Sequence, residues 1–271
     1  MKSNAGGVLI MNADDWGRDT RNTDSVVGCI DAGAVSSVSA MVFMEDSERA
    51  AAIARERRIE AGLHLNFTTG FSMPGCSSGL LERQQQIGRR LLKHRLAQIV
   101  FHPGLIRSFE YVVAAQVDEF RRLYGSDPLR IDGHHHMHLC ANVLWQGLLP
   151  VGTLVRRNFS FHPGEKSRWN LLYRVFVDRQ LARRHRLVDY FFSIAPIEPI
   201  ERLKKIFALA RHSAVEVETH PVDVREFTFL AGGELFRWTE GILVGPPSAV
   251  MQSRHGGTQS HPAHEPSLPS V

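Results

Sequence analysis

Residues 132 to 139 read DGHHHMHL, so four of the chain's 14 histidines fall within five positions. Imidazole is neither a good core filler nor a strong former of strands or helices, which makes packing a poor reason for such a run. A metal site is a better reason, yet adjacent histidines cannot all reach one ion. Matching chemistry lies elsewhere in the chain. NADDWG (12–17) carries the paired carboxylates Asp14 and Asp15, GLHLN (62–66) carries His64 and Asn66, and ETHP (218–221) carries His220. Two adjacent carboxylates repel unless a cation divides their roles, one binding the ion and the other staying free as a general base. One Asp and two His, with positions open for water and substrate, make a catalytic type of metal site. Such an ion lowers the pKa of bound water and polarises a carbonyl oxygen. The chemistry this set supports best is hydrolysis of an amide or an ester.

The elements that would position these residues alternate along the chain. GVLIMNAD (7–14) reads as a buried strand, 24–33 as a helix closed by Gly33, and 35–43 as a strand. Residues 48–58 read as a helix with Asp46 and Ser47 at its N-cap, and 60–67 as a third strand, giving the βαβαβ pattern of a parallel sheet. Residues 68–88 hold too much Gly, Ser and Pro for an element and read as a long functional loop. Helices are expected near 88–100 and 108–124, and RIDGHHHMHL (130–139) forms the fourth strand and its exit. A strand near 152–159, a helix near 168–185, a strand near 189–194, a helix near 199–212 opened by Pro199, and a strand over 215–222 follow. Every motif above thus stands at the carboxyl end of a strand, where parallel α/β folds gather their functional groups. Alternation along the fourth strand puts His134, His136 and His138 on one side and His135 on the other. His64 and one or more of those three complete the inner shell on this reading.

Residues 1–244 form one domain, and 245–271, rich in Pro, Gly, Ser and His, read as a disordered tail. About seven strands suit either a (β/α) barrel or an open doubly wound sheet. Hydrophobic residues at 43% and charged residues at 22% are globular values, and no run of 18 apolar residues offers a transmembrane helix. Three widely spaced cysteines suit a reducing cytosol. The net charge of +4 includes basic clusters at 55–58, 89–95 and 179–186, read as solvated helix faces; without interleaved aromatics they argue against nucleic acid. Trp145, Trp169 and Trp238 read as core, with stacking on sugar rings as the alternative. Arg156 either anchors a substrate oxygen or forms a salt bridge within the barrel. The apolar face of 199–212 (Leu203, Ile206, Phe207, Leu209) packs either on the barrel or in a homodimer.

NADDWG, GLHLN, DGHHHMH and ETHP, in this order over residues 8–222, resemble the YdjC-like carbohydrate deacetylases. That resemblance implies a TIM-barrel-like (β/α) fold, an incomplete ring at about seven strands, and a cytoplasmic enzyme with one divalent metal ion, Mg2+ or Zn2+. It implies removal of acetyl groups from N-acetylated sugars, either chitooligosaccharides or a lipid-linked sugar. Carried over, Asp15, His64 and His134 hold the metal, Asp14 is the base and His220 the general acid. Asn66, His136, His138 and Arg156 then line the substrate. Trp16 stands where the family usually has phenylalanine, and Val222 where glycine is common. Two other readings compete: a phosphoesterase, which would need more ions, and a sugar-binding relative without turnover. A structural zinc site wants four ligands, usually with thiolates, and no cysteine falls near the motifs.

Overall fold

Nine consecutive buried residues, Val8–Trp16, form strand β1. A strand buried on both faces belongs in the middle of a parallel sheet covered by helices. In the computed structural model, which describes residues 7–94, 96–161 and 165–253, β1 takes that position. The other strands are β2 (Ser37–Ala40), β3 (Ala61–Leu65), β4 (Arg130–Gly133), β5 (Leu154–Val155), β6 (Tyr190–Ser193) and β7 (Ala214–Thr219). They lie in the order β5-β4-β3-β2-β1-β7-β6, and all pair parallel. Between β5 and β6 the ladder thins to an isolated Leu154–Arg186 bridge and a Ser160 N–H to Phe191 carbonyl bond. The sheet is therefore a curled, incomplete seven-stranded barrel.

The helices are α1 (Thr20–Asp31), α2 (Ser47–Arg57), α3 (Ser78–Leu91), α4 (Ile106–Tyr124), α5 (Ala141–Gln146), α6 (Arg168–Ala182), α7 (Ile200–Leu209), α8 (Val224–Ala231), α9 (Glu234–Trp238) and α10 (Pro247–Ser253). Side chains of Asp19, Ser77, Ser167 and Asp223 accept the first free amides of α1, α3, α6 and α8. In α4, Phe109, Val112, Val113, Val117, Phe120 and Leu123 recur at helical spacing and are buried.

Several expectations change. The long loop over 68–88 ends at Ser77, because Leu80, Ile87 and Leu91 make α3 an amphipathic helix that faces the core. The helix expected over 88–100 stops at Leu91 and is followed by a 3₁₀ turn at Ala97–Ile99. The tail does not start at 245. Leu9 bridges Val244 and accepts from the Gly245 amide, and Val250 of α10 packs against Val8 and Ile10. Residues 254–271 lie outside the described residues. Leu203, Ile206 and Phe207 of α7 are fully buried in the barrel's own core. Trp145 and Trp169 are exposed, not core, while Trp238 is partly buried beneath the Lys204 ammonium.

Candidate metal centre

The site begins with a kink at the end of β1. Asp15 has φ 62°, and the pairing register to β2 shifts between Ala13 and Trp16. An extended chain would send neighbouring side chains to opposite faces. The left-handed step at Asp15 breaks that alternation, and both carboxylates approach His64. Its Nε2 lies 3.5 Å from Asp15 Oδ1 and 4.0 Å from Asp14 Oδ2. On β4, Asp132 is the register partner of His64, and its Oδ1 lies 2.7 Å from His64 Nδ1. That contact holds the ring with Nε2 turned toward the aspartates.

The fourth strand ends at Gly133, earlier than expected, and His134–Leu139 coil as a 3₁₀ turn. Gly133 is required there, since a Cβ would stand 2.9 Å from the His138 nitrogen. His135 and His136 both adopt positive φ, 54° and 57°. The two-residue alternation expected for His134, His136 and His138 therefore does not apply. His134 turns Nδ1 to within 2.9 Å of Asp15 Oδ1, and its Nε2 lies 3.0 Å from Thr69 Oγ1.

Asp15, His64 and His134 offer one ligand atom each, all within 4.8 Å of one another. Asp15 Oδ1 is buried and accepts no hydrogen bond, despite its nearness to two imidazole nitrogens. Donors about 2.1 Å from one ion, at roughly 90–110° to each other, stand about 3.0–3.4 Å apart. The orphaned oxygen and the spacing of its neighbours fit a divalent ion. A second grouping, Asp14, His64 and Asp132, also comes together. There, however, Asp132 Oδ2 is occupied by Ser39, Arg130 and Arg156, and Oδ1 by His64. One coherent ligand set is left among the described residues.

Beneath it lies a charged layer. Arg156 donates Nη1 and Nη2 to the two oxygens of Asp14 at 2.6 and 2.7 Å, and Nε to Glu216 at 2.6 Å. Nη1 also reaches Glu218 at 3.3 Å. Arg130 pairs with Asp132 and Glu216 and donates to Asn12 and Ser39. The buried carboxylates of Asp14, Asp15, Asp132, Glu216 and Glu218 thus outnumber the buried guanidiniums of Arg130 and Arg156. Burial would raise the Asp14 carboxyl, but Arg156 overrides it and holds the group down at about 2. Burial opposes protonation of His64, yet Asp132 and Asp14 outweigh it and lift the imidazole to about 10. Burial and the Asp14 charge push Glu218 well above the usual carboxylate range. A pocket that draws protons onto a buried imidazole is short of positive charge, which an ion would supply.

The remaining expected residues fall into place unevenly. Asn66 is fully buried; its Oδ1 accepts the amides of Thr68 and Thr69, so it shapes a turn and offers substrate nothing. His138 is likewise buried against the Arg156 carbonyl, and burial lowers it to about 4. Arg156 is fully buried with each guanidinium nitrogen on a carboxylate, which replaces the expected role in anchoring a substrate oxygen. His136 keeps a third of its side chain exposed, edge-on to Phe159 and 3.8 Å from Glu218. His135, expected to face away, packs its ring 4.0 Å from that of His134 and bonds Thr68. His220 follows the Ala13–Thr219 ladder pair, so it leaves β7 level with Asp14; its amide donates to Glu226 at 2.5 Å. Among the described residues, no hydrogen bond or ion pair joins its ring to the aspartates. The motifs already contained Asp132 and Glu218 without assigning them a role. Arg130, Glu216 and Thr69 carried no local signal.

A solved structure from Enterococcus faecalis V583, a candidate cellobiose-phosphate cleavage protein, matches 90% of this chain and 99% of its own at a TM-score of 0.63. At 17% identity that likeness concerns the fold. The carbohydrate deacetylase of Mus musculus is 34% identical over 140 residues, half of this chain and 44% of the mouse protein. The Homo sapiens carbohydrate deacetylase is 34% identical over half of this chain and 42% of its own length. The chitooligosaccharide deacetylase of Enterobacter sp. (strain 638) is 32% identical over 49% of this chain and half of its own. The matched stretch is thus half or less of each relative. The profile of the family described as YdjC-like protein matches residues 8–229, a span that contains β1 through β7, the Asp15–His64–His134 set and the charged layer beneath it. On that match the chain belongs to the YdjC-like protein family.

Proposed function

We propose that the chain is a metal-dependent hydrolase that removes the acetyl group from an N-acetylated sugar. The observation that carries this reading is the convergence of Asp15, His64 and His134 beside Asp14, which Arg156 holds as a carboxylate. A divalent ion held by those three ligands supplies Lewis acidity toward an acetamide oxygen and lowers the pKa of water. Among the ions that suit two imidazoles and a carboxylate, zinc fits on affinity, and magnesium keeps more of its water.

The chain's own groups do the rest on this reading. Asp14 faces the same space as the ligands, is held ionised by Arg156 before turnover, and becomes protonated as it takes a proton from the attacking water. Its two bonds to Arg156 fix the carboxylate plane, so the attacking water meets a base that does not rotate. His220, at the exit of the neighbouring strand, gives its proton to the departing amine nitrogen as the C–N bond breaks. His136, a third exposed and walled by Phe159, faces the substrate on this reading. The deacetylase names of the relatives support the acetyl group as the one removed. Three free cysteines accord with a reducing, cytoplasmic setting.

The test is acetate release from a panel of N-acetylated sugars by metal-depleted protein, and again after zinc, magnesium, cobalt or manganese is restored. Metal-dependent release is the expected result. One bound ion with no acetate from any member would sink the deacetylase reading. Asp14→Asn is expected to bind metal normally while losing about 10²–10⁴ in turnover.

A further inference from the structure

Helix α6 turns much of its apolar surface outward. Val177, Asp178 and Leu181 face the barrel and are buried. Trp169, Leu172, Tyr173 and Phe176, spaced i, i+3, i+4 and i+7, share the opposite stripe and are 81%, 60%, 39% and 54% exposed. Arg179 and Arg183 continue that stripe, and Arg168 flanks its start. These three and Arg184 are exposed and make no ion pair among the described residues. Arg184 lies over Gly147 at the end of α5, the helix that carries Trp145, itself 77% exposed. At its other end α6 adjoins a cavity of about 510 Å³ lined by Phe159, Phe161, Lys166 and Arg174, and Phe159 is the ring that walls His136.

We infer that α6 docks on the surface of an anionic lipid membrane. Trp169, Leu172, Tyr173 and Phe176 enter the headgroup boundary, and the arginines meet the phosphates. Aromatic and aliphatic side chains on one stripe beside unpaired arginines are the composition of an interfacial helix. The same charges oppose the other occupants. A two-fold contact between copies through this stripe would set arginines against arginines. Nucleic acid wants a basic groove with stacking rings, whereas this surface is a convex helix with aliphatic side chains among its aromatics. Docked this way, the cavity beside His136 opens close to the lipid headgroups. The inference stands apart from the deacetylase reading, since vesicle binding needs no turnover.

The test is co-sedimentation of the full chain with vesicles of phosphatidylcholine alone and of phosphatidylcholine mixed with phosphatidylglycerol. Binding to the mixed vesicles alone, weakened by added salt, is the expected result. The pair Trp169→Ser with Phe176→Ser, and separately Arg168→Glu with Arg179→Glu, should each weaken binding about tenfold or more while the circular dichroism stays that of the wild type. Both pairs lie on the solvent side, so their fold is expected to survive. The inference is overturned by failure to bind the mixed vesicles or by equal binding of wild type and both variants. A solution dimer that the variants dissolve, or a single-stranded oligonucleotide bound in place of vesicles, would equally overturn it.

Discussion

The layer around Arg156 and the layer around Asp15 meet at Asp14 and are satisfied in opposite ways. In the lower one, every nitrogen of the Arg156 guanidinium ends on a carboxylate, and Asp132 Oδ2 accepts from three partners. In the upper one, His64 Nε2, His134 Nδ1 and Asp15 Oδ1 converge with no hydrogen bond to the oxygen. Both layers are buried and both hold several charges, so burial alone does not mark a ligand site. The distinguishing feature is which layer leaves a buried carboxylate oxygen without a hydrogen bond. A closed network holds the fold, and an open one is compatible with a cation.

The largest effect should come from the closed layer. Arg156→Met leaves Asp14, Asp132, Glu216 and Glu218 without their shared cation and is expected to cost about 3–5 kcal/mol of unfolding free energy in urea. If Asp15→Asn destabilised the metal-free protein more than this, the contrast between the layers would collapse. Glu226 belongs to neither layer: its carboxylate accepts the His220 amide, and burial raises it to about 7. Because its folded pKa lies above the ordinary glutamate value of 4.5, the folded state binds the proton more tightly. Stability is therefore expected to fall as pH rises from 4.5 through 7, by up to about 3 kcal/mol, and Glu226→Gln should flatten that slope. Urea midpoints of both proteins across this window check it.

Asp132 joins the layers, and it sharpens the comparison. Asp132→Asn takes from His64 the carboxylate that fixes its tautomer, so metal affinity should drop about 10–100-fold in a competition titration. An unchanged affinity would mean that the ring is held by packing alone. Thr69→Val should have the smallest effect, about tenfold at most, since Thr69 is only half-buried and water can replace its hydroxyl beside His134.

The open layer was legible in the sequence because Asp15, His64 and His134 sit in short motifs at strand ends, where a parallel sheet must gather them. The closed layer was not. Arg156 and Asp14 are 142 residues apart, and Arg130 and Glu216 are 86 apart, so no local pattern announces their pairing. The histidine run misled for a different reason. A strand's alternation assumes negative φ, and His135 and His136 both depart from it, as Asp15 does on β1. Non-glycine residues in that region are costly, and the surrounding packing that holds them there is tertiary. The exposed tryptophans were misplaced because residue type predicts burial only on average. Residues 245–253 read as tail because they open a stretch rich in Pro, Gly, Ser and His, yet Val250 found a gap beside Val8 and Ile10.

The central position of β1 also sets the order in which the chain can complete itself. The Thr219 hydroxyl donates to the Asn12 carbonyl across 207 residues, and all six paired residues of β7 lie against β1. During synthesis, β2 and β3 can gather beside β1 early, but its other edge stays open until β7 leaves the ribosome. Such non-local closure is slow and leaves a strand edge exposed to neighbours in the meantime. Asp14 and Asp15 sit on that half-paired strand. A nascent chain therefore carries its acidic pair well before Arg156 and the late strand arrive to enclose it.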